Sequence, residues 1–110
     1  MRACLIPFAA VLALPVALGA LNSSAVGEED PKITSYGRHL AQECTGCHRI
    51  DGVDNGIPSI IGWDADRFAR TLEFYRTGER TNPVMVSVVK SLDPDQVRAL
   101  AAYYASLSKR

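Results

Sequence analysis

Five consecutive residues, Cys44-Thr45-Gly46-Cys47-His48, restrict the folds open to this chain more than any other feature. Cys-x-x-Cys-His is the spacing at which a haem is attached covalently. Thiols at this separation reach both vinyl groups of one haem, and the adjoining imidazole comes under the iron. A chain built this way has to form its core around the macrocycle. A disulfide or a zinc site would also use cysteines. A closed zinc site, however, wants four Cys or His ligands. Apart from Cys4 near the N-terminus, the chain offers only Cys44, Cys47, His48 and His39, with no second cysteine pair. Haem c is the reading that employs the whole motif.

The 110 residues suit one domain. Arg2 gives a short positive start, Leu5 to Leu18 is apolar apart from Pro7 and Pro15, and Ser23-Ser24-Ala25 has the small-x-small form of a cleavage site. Residues 1–25 are therefore expected to be a secretory signal peptide that carries Cys4 away. Residues 26–110 are expected to be a single-haem domain in the periplasm. A retained membrane anchor is the alternative, since the uncharged run from Ala3 to Val26 is long enough to span a bilayer. The two prolines and the small-residue tail favour cleavage.

Without Arg2, eleven Lys and Arg face twelve Asp and Glu. Nucleic-acid binding needs a clear basic excess, and this balance argues against it. Eight of those eleven cations are arginine. Arginine is enriched at protein interfaces and lysine depleted, which hints at a lasting protein partner.

A first helix is expected to begin at Asp30-Pro31 or Thr34. Its stripe of Ile33, Tyr36, Gly37, Leu40, Ala41 and Cys44 carries Cys44 to the haem. Gly37 costs such a helix about 1 kcal/mol against Ala, a cost that a close helix crossing would offset. His39 falls off the stripe and reads as a solvated histidine. Arg49 to Ile61 holds Gly52, Asp54-Asn55-Gly56 and Pro58, and reads as loop. Following the haem histidine, it is placed to accept the second ring N–H of His48. Pro58, stiff and with a free carbonyl, is the candidate acceptor.

Asp64 is a good N-cap for the next helix, and Trp63 and Phe68 are spaced for a hydrophobic staple. Phe68, Leu72 and Tyr75 continue its apolar face, and Gly78 closes it. Trp63 is a candidate haem contact. Among Arg67, Arg70, Arg76 and Arg80, one or two are expected at the haem propionates, which as carboxylates suit arginine. Arg80 and Asn82 are candidate cofactor-binding residues. Met85 is the only methionine after the signal segment, and its thioether is a soft axial ligand for an iron opposite His48. Asp93-Pro94-Asp95-Gln96 has the pattern of a capping box. It opens a last helix with Val97, Leu100, Ala101, Tyr104 and Leu107 inward. The first and last helices are expected to cross at Gly37, with Tyr104 as neighbour.

Residues Ile33 to Leu107 resemble the class I cytochrome c family. The resemblance rests on Cys44-x-x-Cys47-His48 and on Pro58-Ser59-Ile60-Ile61-Gly62, which is similar to the family's Pro-x-Leu-x-Gly segment. The run from Tyr75 to Met85 is similar to the distal segment of the small bacterial branch. The resemblance implies an all-α fold wrapped around one covalent haem. That branch includes haem subunits that pair with an FAD-containing dehydrogenase, the flavocytochrome c sulfide dehydrogenases. Three functions follow as expectations. The first is electron transfer from such a flavoprotein, the second a free soluble carrier to a terminal oxidase. The third is a haem enzyme or gas sensor with an open iron. An iron filled by His48 and Met85 carries electrons and binds no substrate, which sets the first two apart from the third.

Overall fold

A computed structural model describes residues 29–108. The expected signal peptide at 1–25 lies outside the described residues. Four helices follow in order: α1 Pro31–Leu40, α2 Ala65–Thr77, α3 Pro83–Lys90 and α4 Pro94–Ser106, with no strand among the described residues.

The helix starts share one device. Asp30, Asn82 and Asp93 each precede a proline and cap with a side-chain oxygen. Proline tolerates the first helical position because its missing N–H would have no partner there. Asp30 accepts from the Lys32 N–H at 2.9 Å, so α1 begins at Asp30-Pro31 and not at Thr34. Asp93 accepts from the Gln96 N–H at 2.8 Å, and the Gln96 side chain accepts from the Asp93 N–H at 2.9 Å. Asp64 caps α2 through the Asp66 and Arg67 N–H groups, both at 3.1 Å, and Gly78 ends it in the left-handed conformation. Helix α3 is not among the sequence expectations, although Asn82-Pro83 carries the same start signal as Asp93-Pro94.

Helix α1 departs from those expectations in two ways. Helix α1 does not run through to Cys44. It stops at Leu40 and tightens into i→i−3 bonds, from Glu43 to Leu40 and from Cys44 to Ala41. The expected inward stripe is also narrower, because Tyr36 is 44 % exposed. Gly37, Leu40 and Ala41 sit near the centre of the buried face, and Tyr36 lies on its flank.

Helix α4 is the spine of the core: α1 and α2 both pack on it, and α3 packs on α2. Ala99 through Tyr104 are all buried. Tyr104 stacks on Phe68 with ring centroids 5.5 Å apart and meets Tyr103 edge-on at 5.3 Å, both favoured aromatic geometries. Ile60, Ile61, Leu72, Val89 and Leu100 complete the cluster, and Trp63 and Phe68 both join it at the start of α2. The α1–α4 crossing does occur at Gly37, but its nearest neighbours are Ala99 and Tyr103 and not Tyr104. Gly62, with φ +68°, donates its N–H to the Tyr104 carbonyl at 2.8 Å. That backbone region favours glycine, and the bond ties the loop after His48 to the end of α4.

Candidate haem site

The Cys44–His48 segment is itself one helical turn. The His48 N–H donates to the Cys44 carbonyl at 2.8 Å, and the Cys47 N–H donates to the same carbonyl at 3.2 Å. In a helical turn, positions i, i+3 and i+4 share a face. Cys44, Cys47 and His48 therefore project on one side. Both cysteines are free thiols; Cys44 is half-buried and Cys47 exposed.

Nδ1 of His48 lies 2.7 Å from the Pro58 carbonyl oxygen. A carbonyl only accepts, so Nδ1 carries the proton. In the neutral ring Nε2 then keeps the lone pair that binds a metal. Arg49 and Asp51 hold the start of the same loop. Nε of Arg49 donates to Asp51 at 3.0 and 3.1 Å, and the guanidinium Nη2 closes a second, charge-assisted bond. Asp51 also accepts from the Val53 N–H at 3.0 Å. Arg49 first, then the Val53 N–H, draw the Asp51 carboxyl down to about 2.

Trp63 is half-buried, with the Arg67 guanidinium 4.0 Å above its ring. Arg80 is exposed and lies 5.7 Å over the Tyr75 ring. Asn82 spends its side-chain oxygen on the Val84 and Met85 N–H groups, at 3.1 and 3.2 Å. Met85 is half-buried in the first turn of α3 and packs against the core. Neither Arg80 nor Asn82 hydrogen-bonds to the Cys44–His48 turn among the described residues. His39 is exposed on α1. Among the described residues no group of three or more His, Cys, Asp or Glu gathers to hold a bare metal ion.

Tyr104 and Ser59 matter here for a reason the apolar periodicity hid. Their hydroxyl oxygens are buried and make no hydrogen bond among the described residues. Tyr104 is 0 % exposed and lies beside Cys44. Burial pushes the Cys44 thiol up; the nearby Tyr104 hydroxyl opposes this, while Glu43 and Cys47 add to it. Burial also lifts the Tyr104 phenol well above its usual range. A polar tip within an inward stripe is the one sequence signal that marks such a residue, because a buried tyrosine O–H normally needs a partner.

These surroundings suit haem c. Two free thiols and an imidazole share one helical face, and the imidazole is already oriented by a backbone acceptor. Ile50, Val53 and Ile57 on the loop beyond His48, and Val84 beside Met85, present exposed apolar side chains that suit contact with a macrocycle. No helix among the described residues is long and apolar enough to cross a membrane.

No family model matches the chain. It is 33 % identical over 81 residues to the cytochrome subunit of sulfide dehydrogenase of Chlorobaculum tepidum, covering 73 % of this chain and 74 % of that one. It is 37 % identical over 70 residues to the thiosulfate dehydrogenase electron acceptor of Thiomonas intermedia, covering 61 % of this chain and 32 % of that one. It is 32 % identical over 102 residues to cytochrome c4 of Stutzerimonas stutzeri, covering 78 % of this chain and 49 % of that one. The chain thus spans less than half the length of the last two. Combined with the four-helix fold and the Cys44–His48 turn, these likenesses settle the family: the chain belongs to the class I c-type cytochromes, electron-transfer proteins that carry covalent haem c.

Proposed function

We propose that this chain passes single electrons in the periplasm through one haem c bound to Cys44 and Cys47, with His48 and Met85 as the axial ligands. We further propose that its electrons come from an FAD-containing dehydrogenase of the sulfide-oxidising type. The observation that carries the haem assignment is the helical turn bearing Cys44, Cys47 and His48, with Nδ1 of His48 donating to Pro58 at 2.7 Å. The cytochrome subunit of sulfide dehydrogenase, at 33 % identity, supports the partner. Removal of residues 1–25 delivers residues 26–110 as the working domain.

Haem c supplies the ferric–ferrous couple. The chain's own residues hold and tune it. Cys44 and Cys47 would hold the haem through thioethers to its two vinyl groups. Pro58 keeps the Nδ1 proton in place, which leaves Nε2 free to bind a metal and would make the imidazole a better donor. Met85 would supply a soft thioether as the second ligand, which would favour the ferrous state. The Phe68–Tyr104–Leu100 core excludes water. Trp63, Arg80 and Asn82 border the site in this reading, with Arg80 a propionate partner.

Expression with export to an oxidising compartment, followed by acid–acetone extraction, tests the attachment. The haem should stay with the polypeptide, and free haem in the solvent would refute the assignment. Reduction by a copurifying flavoprotein tests the partner.

A further inference from the structure

Among the described residues, Tyr104 is the largest side chain wholly shut off from solvent. Its ring is held twice, by the stack on Phe68 and the edge contact with Tyr103. Its backbone carbonyl is fixed by the Gly62 N–H. A residue locked this firmly cannot swing its hydroxyl to water. Yet that hydroxyl makes no hydrogen bond among the described residues. Leaving a buried polar group unpaired costs roughly 1–3 kcal/mol. A phenylalanine would have filled the same space without that cost.

Polar groups near Tyr104 are the sulfur of Cys44, which packs against the same core cluster, and the Tyr103 phenol. As a free thiol this sulfur carries a hydrogen of its own and is only a weak donor and acceptor. The position changes once Cys44 is bonded to haem. A thioether sulfur has lost its hydrogen and can only accept, while the tyrosine O–H has a proton to donate.

We infer that the Tyr104 hydroxyl donates a hydrogen bond to the Cys44 thioether sulfur, making Tyr104 a positioning residue that raises the haem's reduction potential. This rests on the attachment proposed above. A donor at the sulfur draws electron density from the macrocycle's substituent and favours the electron-richer ferrous state, the hydrogen-bonding route by which proteins tune haem. The sulfur is also held in one orientation, which restrains the macrocycle against α4.

Tyr104→Phe keeps the ring, the stack and the volume, and removes only the hydroxyl. In the exported, haem-loaded full chain its midpoint potential should fall below that of the unchanged protein. The thioether C–S stretching band in the Raman spectrum should shift as well. In the unchanged protein that band should respond to transfer into heavy water. This second measurement needs no variant, so it stands even if Tyr104→Phe folds poorly. A merely structural role would lower the melting temperature and leave the potential and the C–S band alone. An unchanged potential together with a band indifferent to heavy water overturns the inference. Denatured Cys47→Ala retaining the haem mass shows the Cys44 bond directly. Loss of that mass would overturn the attachment and this inference together, whereas a retained mass with an unmoved band overturns the hydrogen bond alone.

Discussion

A Cβ added to Gly37 would sit 1.9 Å from the Ala99 carbonyl oxygen and 2.8 Å from Cβ of Tyr103. The two helices that close the domain approach each other through the one residue with no side chain. The obstructing atom is backbone, which cannot rotate away. Gly37→Ala should therefore destabilise the haem-loaded protein, even though alanine is the better helix former by about 1 kcal/mol. Overpacking of this kind typically costs about 1–3 kcal/mol, and Gly37→Leu should cost more than Gly37→Ala. Thermal unfolding followed at the haem band checks the order. A Gly37→Ala variant as stable as the parent would mean that α1 and α4 do not cross there.

Met85 decides between carrier and enzyme. With His48 and Met85 both bound, the oxidised protein should be low-spin, show the weak near-infrared sulfur-to-iron band, and bind carbon monoxide poorly when reduced. Met85→Ala should admit carbon monoxide and lower the potential, because the ligand that favours ferrous iron is gone. Met85→His should keep six-coordination and still lower the potential. His39→Ala, on the exposed face of α1, should change none of these. An unchanged protein that is high-spin and binds carbon monoxide readily would favour the haem-enzyme or sensor reading.

Asp51 gives the loop beside His48 an acid limb. Its carboxyl is lowered from 3.8 to about 2, first by the Arg49 guanidinium and then by the Val53 N–H. A carboxyl depressed on folding adds stability above its unfolded value and loses it as pH falls through the folded value. The advantage over Asp51→Asn should thus be full above pH 3.8, shrink between 3.8 and about 2, and vanish below that. It should be small, because both partners are exposed and water screens the pair. Acid unfolding curves of the two proteins, compared at fixed salt, measure it. A gap that persists below pH 2 would contradict the assignment.

Near-neutral charge shapes the expected partnership. Residues 26–110 set eleven basic against twelve acidic residues, so little of their association should depend on long-range steering. Binding to a flavoprotein dehydrogenase should weaken only mildly between low and physiological ionic strength. Calorimetry or surface binding at several salt concentrations tests this. A collapse of affinity over that range would favour a charge-steered free carrier.

Much of this protein is written locally. The Cys44–His48 motif, the caps at Asp30, Asp64 and Asp93, and the stop at Gly78 each depend on a few neighbouring residues. Capping and turn chemistry act over three or four positions, which is why such features can be read from a single sequence. Asn82-Pro83 carries the same local start signal for α3. The contact between His48 and Pro58 lies between these cases, since a stiff residue in a loop after the histidine suggests an acceptor but does not place one.

Tertiary structure decided the rest. Periodicity tells which face of a helix turns inward, but not how two helices are rotated and slid against each other. That is set by ridges of one fitting the grooves of the other. So Gly37 could be marked for a crossing while its neighbours proved to be Ala99 and Tyr103. The same register carries Tyr104, sixty residues from Cys44 in the chain, to the side of that cysteine with its hydroxyl shut in. Sequence alone identified Tyr104 as an apolar contact. Only the packing of α4 against α1 and α2 shows a buried hydroxyl with no hydrogen-bond partner among the described residues, near Cys44, because burial and proximity over long chain separations exist only once the core has closed.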